Sequence, residues 1–105
     1  MELPNDVDSV IGKYCIVRTY SAGVFAGVVQ FLNRSECRVT DARRLWYWKG
    51  AATLSELSQR GVKYPNECKF PCVVPMVCLT NVIEIIPCTL DAKTSIEEVP
   101  EWRAT

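Results

Sequence analysis

The sequence predicts a mainly β fold: a small five-stranded antiparallel barrel or bent sheet, with one short helix and a C-terminal turn or helix. Stretches rich in β-branched and aromatic residues alternate between apolar and polar positions, and turn-forming segments separate them. One helix-capping pattern interrupts this β character. With 105 residues, 49% of them hydrophobic, the chain fits a single domain with one core, which we place at residues 10–105.

The first strand is predicted in "KYCIVRTYS", after a polar lead at residues 1–9 that we expect to be flexible. Strand alternation gives two sets of side chains: Cys15, Val17 and Thr19 on one face, and Tyr14, Ile16, Arg18 and Tyr20 on the other. Ala22 and Gly23 supply a turn into a second strand at residues 24–32, where Gly27 predicts a bulge or sharp bend. "NRS" then turns the chain into "ECRVTDARRLWYW", which is long enough for one bent strand or two short ones.

A helical insertion is predicted at about residues 50–62. "TLSE" has the pattern of a capping box, in which the Thr53 hydroxyl accepts from the Glu56 N–H and the Glu56 carboxylate accepts from the Thr53 N–H. Gly61 is suited to end the helix, so we expect it to span residues 54–60. Two turns are too short to persist alone, and therefore the helix should dock on the sheet through its leucines.

The last third of the chain returns to strand character. "VKYPNECKFPCVVP" contains three prolines and is predicted as a connecting loop. "MVCL" and "VIEIIP" follow as strands joined tightly by "TN". "TSIE" is a second possible capping box, so the C-terminus should end in a short helix or turn that tucks in Trp102.

Composition argues against several classes of function. Twelve basic residues balance twelve acidic ones, so the whole molecule has no field that would concentrate a polyanion. The chain contains no histidine and no phosphate-binding glycine loop, so we expect neither enzymatic activity nor a cofactor. No segment approaches the roughly 18 apolar residues of a membrane span, and no export signal is evident, so we expect a cytoplasmic protein.

The six cysteines are expected to be reduced thiols, mostly small core residues, because nothing indicates an oxidising compartment. Cys68 and Cys72 in "CKFPC", with Cys78 and Cys88, offer four thiolates for zinc. The usual pair of C-x-x-C motifs is missing, and no histidine is present to replace a thiolate. We therefore predict no metal site.

Two resemblances follow from these motifs. The "G-V-F-A-G" hairpin and "LTNVIEIIP" resemble the Sm-like class of small barrels over Tyr14 to Trp48 and Pro75 to Pro87, although the segment between Lys49 and Pro75 departs from that class. "VRTYSAGVFAGVV", "ARRLWYWKGAATLSELSQRGV", "CKFPC" and "LTNVIEIIPCT" resemble a family of small phage- and prophage-encoded proteins of unassigned function, over Lys13 to Trp102. The second resemblance implies a phage accessory protein in the bacterial cytoplasm, of the kind that blocks a defence enzyme or sequesters its nucleotide messenger.

The segment "ARRLWYW" is the strongest candidate site. In an extended conformation, arginine and aromatic side chains alternate along it, with Ala42, Arg44, Trp46 and Trp48 on one face and Arg43, Leu45 and Tyr47 on the other. Guanidinium groups bind phosphate and aromatic rings stack on bases. We therefore expect a pocket for a planar anion, built from Arg18, Tyr20, Arg43, Arg44, Trp46, Tyr47 and Trp48. Alternatively, the two tryptophans fill the core beneath the helix, or the cluster is a protein-binding hot spot.

These features together predict a non-enzymatic binding protein. The expected ligand is a small anion such as a nucleotide or cyclic nucleotide that serves as a defence signal. The alternative is inhibition of a host protein through an exposed aromatic patch. RNA binding, as in the Sm-like class, is third because the charge is balanced. Apolar strands at the ends of a small sheet also favour a homo-oligomer.

Overall fold

A bent antiparallel sheet carries two short helices in the computed structural model, which describes residues 7–104. The strands are β1 (Tyr14–Thr19), β2 (Val24–Asn33), β3 (Glu36–Arg44), β4 (Val73–Leu79) and β5 (Val82–Pro87), and the helices are α1 (Leu54–Arg60) and α2 (Leu90–Glu98). The strand order is β4-β3-β2-β1-β5, and every neighbouring pair is antiparallel. This architecture confirms the predicted mainly β fold. The sheet is bent and is not closed into a barrel, because β4 and β5 are not paired with each other.

Both faces of the sheet are buried, which gives two apolar clusters. The buried residues of the first all come from strands, and Val10, Val82 and Ile85 are among the partly buried residues that pack against it. β4 and β5 therefore both contribute to it although they lie at opposite edges, so the sheet must curve strongly. The second lies between the other face of the sheet and the helices, and includes Ile16, Leu45, Leu57, Phe70 and Ile96. Alternation therefore sends successive residues of β1 into different clusters: Cys15 and Val17 into the first, Ile16 into the second.

Two irregularities bend the long strands. The register between β2 and β3 shifts between Ala26 and Val28, next to Gly27, as the glycine predicted. On the facing strand, Asp41 has a positive φ of 49°, a conformation rare for a residue with a side chain. Of the two possibilities for "ECRVTDARRLWYW", one strand is found, and it ends at Arg44. Beyond Arg44, this segment makes an isolated antiparallel bridge between Tyr47 and Lys69.

Helix α1 has the predicted bounds, and one of the two hydrogen bonds of the predicted capping box is present. The Thr53 hydroxyl accepts from the Glu56 N–H at 3.1 Å, and Gly61 ends the helix with a φ of 75°. The predicted return bond is wrong, because the Glu56 carboxylate reaches one residue further and accepts from the Ala52 N–H at 2.7 Å. Leu57 is fully buried in the second cluster, as docking of the helix required.

Two other local predictions need correction. "TSIE" is not a helix start, since α2 begins five residues earlier with the Thr89 hydroxyl accepting from the Ala92 N–H at 3.1 Å. β4 begins at Val73 rather than Met76, so part of the predicted loop is strand.

The flexible lead at residues 1–9 stays a prediction. Residues 1–6 lie outside the described part of the chain, and Val7–Val10 forms a 3-10 turn.

The β4 edge is the most exposed part of the sheet. Its first four residues, Val73 to Met76, are all exposed, and no strand pairs with its outer side in residues 7–104. An apolar edge of this kind is normally covered in a native protein. The homo-oligomer stays a prediction. In the same described part of the chain, no helix is long and apolar enough to cross a membrane.

The bend at Gly27 gives a test of the fold. A Cβ added there would lie 2.6 Å from Val39 Cγ1 and 2.7 Å from the Thr40 carbonyl oxygen. Gly27→Ala should lower the free energy of unfolding by about 1–3 kcal/mol, because a β3 backbone oxygen has to move. Urea denaturation measures this, with Gln30→Ala on the same strand as a control that changes it by less than about 0.5 kcal/mol. An alanine variant as stable as the native chain would contradict the close approach of β2 and β3.

Candidate ligand-binding site

The seven residues predicted to form one site are separated by the structure into three groups. Arg44, Trp46 and Trp48 line a groove of about 450 Å³ at the end of the sheet, opposite residues 21–24 of the β1–β2 turn. Arg43 lies in the interior, between the sheet and α2. Arg18, Tyr20 and Tyr47 do not line this groove, which we call the Arg44 groove.

The β1–β2 turn forms one wall of the Arg44 groove and is itself firmly held. Thr19 is buried, and its hydroxyl accepts from the Ala22 N–H and donates to the Gly23 carbonyl, both at 2.8 Å. Gly23 adopts a φ of 95°, which favours glycine. The turn therefore presents a fixed backbone surface to the groove.

Arg44 is the cation of the groove. Its Cζ lies 4.4 Å from the centroid of the Phe25 ring, and its Nη1 donates to the Ala22 carbonyl. A guanidinium has five N–H donors, and the other four of Arg44 have no acceptor in residues 7–104. Arg44 is exposed, so these donors face solvent and can bind an anion.

The tryptophans differ in burial although strand alternation predicted one shared face. Trp48 is half-buried and packs against the second apolar cluster, as the core interpretation of these residues predicted. Trp46 is 59% exposed, so it does not fill the core. Both line the Arg44 groove, which therefore has one fixed and one solvent-facing indole.

Arg43 has a structural role. It is only 4% exposed, and its guanidinium donates to the carbonyls of Phe70, Pro71, Ile96 and Val99 at 2.7 to 3.1 Å. Burial lowers its pKa from the ordinary value, while the nearby Tyr14 and Glu101 act in the opposite direction. Four of its five donors are used by the protein, so we remove Arg43 from the predicted ligand-binding set.

Arg18 and Tyr20 adjoin the groove but do not line it, since Arg18 is paired with Val24 across the β1–β2 register and Tyr20 precedes Ser21. Arg18 Nε makes a 2.9 Å ion pair with a carboxylate oxygen of Glu84 on the neighbouring strand β5, and both side chains are partly exposed. Tyr20 is 80% exposed just before the turn. The two residues are therefore surface groups of β1 and its end, and neither is among the residues that line the groove with Trp46.

Two residues that the sequence analysis did not assign to the site lie beside Trp46. Trp102 stacks on Trp46 with ring centroids 5.2 Å apart and an interplanar angle of 26°. Lys69 Nζ lies 5.4 Å from the Trp46 ring centroid and 5.5 Å from that of Trp102. Tyr47, 45% exposed, pairs with Lys69 through backbone hydrogen bonds. We call Trp46, Trp102 and Lys69 the tryptophan platform.

Three of the six thiols are interior groups, Cys88 is half-buried, and Cys72 and Cys78 are exposed. Cys15, Cys37 and Cys68 are buried, and burial raises the pKa of Cys15 to about 12 and that of Cys88 to about 11, so these thiols stay protonated at neutral pH. Cys68 lies in the second apolar cluster whereas Cys72 is exposed, so the two ends of "CKFPC" are in different environments. Over residues 7–104, no three His, Cys, Asp or Glu side chains are grouped as a metal site requires.

A larger cavity of about 590 Å³ lies between α1 and the chain at residues 50–52 and 61–64. Its arginine, Arg60, pairs with Glu56 at 3.3 Å, so opposite charges already meet there. The Arg44 groove has an arginine with no carboxylate partner among the described residues, and two indoles. We therefore place the candidate site in the Arg44 groove.

The contrast between the two neighbouring arginines is testable. Arg43→Ala leaves the buried carbonyls of Pro71 and Val99 without a donor, and takes one of two donors from those of Phe70 and Ile96. The variant should lower the free energy of unfolding by at least about 3 kcal/mol. Arg44→Ala removes an exposed side chain and should lower it by less than about 1 kcal/mol. Thermal and urea denaturation of both variants measure the difference. Equal losses would show that Arg43 does not hold the fold together.

The comparisons with known proteins assign a family but no activity. Neither the curated proteins nor the solved structures contain a match to this chain. A family model matches residues 12–96, which include all five strands and α1. The chain therefore belongs to the family described as the domain of unknown function DUF6948.

Proposed function

We propose that this protein is a non-catalytic binding protein that captures a nucleotide in the Arg44 groove. In this proposal the nucleotide, cyclic or linear, is a defence signal, and stoichiometric binding removes it from solution. The setting is that of a phage accessory protein acting in the bacterial cytoplasm. The setting rests on the resemblance of "ARRLWYW" and its neighbouring motifs to phage-encoded proteins.

One observation carries the proposal: an arginine with available donors and two indoles line the same groove. A nucleotide presents a phosphate and a flat base, which are the groups that guanidinium and indole bind. The volume of about 450 Å³ is within the range of roughly 300–1,000 Å³ that is usual for small-ligand sites. The fixed β1–β2 turn opposite the arginine would limit the ordering needed on binding.

The phosphate and the base have separate places in the groove. The phosphate is expected beside Arg44 and the Ala22–Gly23 turn, since the guanidinium is held there by Phe25 and the Ala22 carbonyl. The base is expected against Trp46 or Trp48, since both rings line the same groove. Arg18, Tyr20 and Tyr47 from the predicted set are not needed for this arrangement.

Inhibition of a host protein is the second candidate. Trp46, Tyr47 and Trp102 are 59%, 45% and 43% exposed, and large exposed aromatic residues of this kind are typical of protein-binding hot spots. Sm-like RNA binding has less support, because the net charge of zero gives no general attraction to a polyanion.

Arg44→Ala tests the nucleotide site. Binding of a panel of mononucleotides and cyclic nucleotides is measured by calorimetry and by thermal shift. The variant should lose about 1.5–3 kcal/mol of binding free energy, roughly 10- to 150-fold in Kd, because a charged hydrogen bond is removed. Its melting temperature should stay close to that of the native protein.

The matched control is Arg60→Ala, which removes an exposed arginine from α1, away from the groove. It should bind nucleotides as the native chain does. If no nucleotide of the panel binds the native protein, or if both arginine variants bind it equally well, the Arg44 groove is not a nucleotide site.

A further inference from the structure

Trp46 is shared by two neighbouring features of the surface. On one side it lines the Arg44 groove. Its ring also stacks on Trp102 beside Lys69, and thereby forms the tryptophan platform. A cation is therefore present at each feature, Arg44 at the groove and Lys69 at the platform. The nucleotide proposed above uses only the first of them.

The platform has ring surface available to a ligand. Even after stacking on each other, Trp46 is 59% and Trp102 is 43% exposed. The Lys69 ammonium is almost equidistant from both ring centroids, at 5.4 and 5.5 Å, and the centroids are 5.2 Å apart. The ammonium therefore makes a cation–π contact with both indoles.

The platform is also ordered by the backbone. The Trp102 N–H donates to the Phe70 carbonyl at 3.0 Å, and Phe70 forms a parallel bridge with Glu101. Lys69 and Tyr47 exchange two backbone hydrogen bonds, at 2.7 and 3.3 Å. Since both segments are held before any ligand arrives, stacking on the platform needs little further ordering.

Lys69 is available to an anion. Its side chain makes no hydrogen bond or ion pair with residues 7–104, and the lysine is exposed. Two acidic residues lie close to it, Glu67 along the chain and Glu101 through its bridge to Phe70, and they are already paired with Lys49 and Arg103. An ammonium beside a stacking surface is suited to a phosphate that joins one stacked base to the next.

We propose that the site binds two consecutive nucleotides. This inference rests on the proposed function of the Arg44 groove. The first nucleotide occupies the groove, and the second stacks its base on the tryptophan platform with the linking phosphate towards Lys69. The shared chemistry is two bases joined through a phosphate, which is found in a linear or cyclic dinucleotide and at the end of a single-stranded nucleic acid.

The experiment compares ligands of one, two and ten nucleotides. The probes are 5′-AMP, the linear dinucleotide pApA, cyclic diadenylate and a ten-residue adenylate strand, titrated into the native chain by calorimetry and by NMR for weak binding. A second stacked base should tighten binding by at least about tenfold. If pApA and the ten-residue strand bind with equal affinity per site, the natural ligand is a free dinucleotide. If the strand binds more tightly, the natural ligand is single-stranded nucleic acid.

Two variants change platform residues that do not line the Arg44 groove. Lys69→Gln removes the ammonium and Trp102→Ala removes one stacked ring; both should reduce the advantage of the dinucleotides over 5′-AMP to less than about threefold. Lys63→Gln is the control, since Lys63 lies at the other cavity. Both platform variants should bind 5′-AMP as the native chain does, which also shows that they are folded.

The outcomes separate the two proposals. If 5′-AMP binds and Arg44→Ala weakens it, but dinucleotides bind no more tightly, the two-nucleotide inference is wrong and the groove proposal stands. The two-nucleotide inference is also wrong, and the groove proposal stands, if both platform variants still bind dinucleotides more tightly than 5′-AMP by the native ratio. If none of the four probes binds, both proposals fail.

Discussion

The buried guanidinium of Arg43 is the contact on which the arrangement of the rest of the chain depends. It joins three parts of the protein that are distant in sequence: β3, the segment at Phe70 and Pro71, and the end of α2 at Ile96 and Val99. The Pro71 and Val99 carbonyls accept from no backbone N–H among residues 7–104, so a side chain has to satisfy them. The Phe70 and Ile96 carbonyls also accept from the N–H groups of Trp102 and Val99. A planar group with five donors can serve four carbonyls at once, which a lysine cannot do.

The inward position of Arg43 determines what its neighbours do. Because alternate residues of a strand point to opposite faces, Arg44 is directed to the surface, where it lies over Phe25 beside the β1–β2 turn. The same guanidinium holds the chain that leads from α2 to Trp102, and so helps to bring Trp102 onto Trp46. The candidate site is therefore a consequence of one interior contact and strand alternation, although its own residues are at the surface.

The sequence predicted the elements that local chemistry determines. Helix α1 was correctly bounded because Thr53 and Gly61 are strong signals within ten residues of each other, and Gly27 correctly marked the bend of β2. The start of α2 was wrong because the Thr89 hydroxyl caps without a glutamate three residues later, so the capping-box pattern selected Thr94 instead. A capping side chain bonds a backbone group only a few residues away, so a local pattern can locate a helix start. It located α1 correctly and misplaced α2, where the pattern is incomplete.

The division of roles within "ARRLWYW" was beyond the sequence. Alternation separates Arg43 from Arg44, but both faces of this sheet are covered, so it does not say which arginine is interior. The deciding partners, Phe70, Ile96 and Val99, are more than 25 residues away in sequence. The stack of Trp46 on Trp102 joins residues as far apart as Arg43 and Val99, and no local pattern predicts it.

The central claim is that this fold holds a nucleotide at Arg44. Mass spectrometry of the small molecules released by heat from the protein, purified from bacterial cells that produce the defence signal, tests it most directly. We expect a nucleotide, near one per chain, from the native protein and much less from Arg44→Ala. Absence of any nucleotide from the native protein, or equal amounts from both proteins, would contradict it.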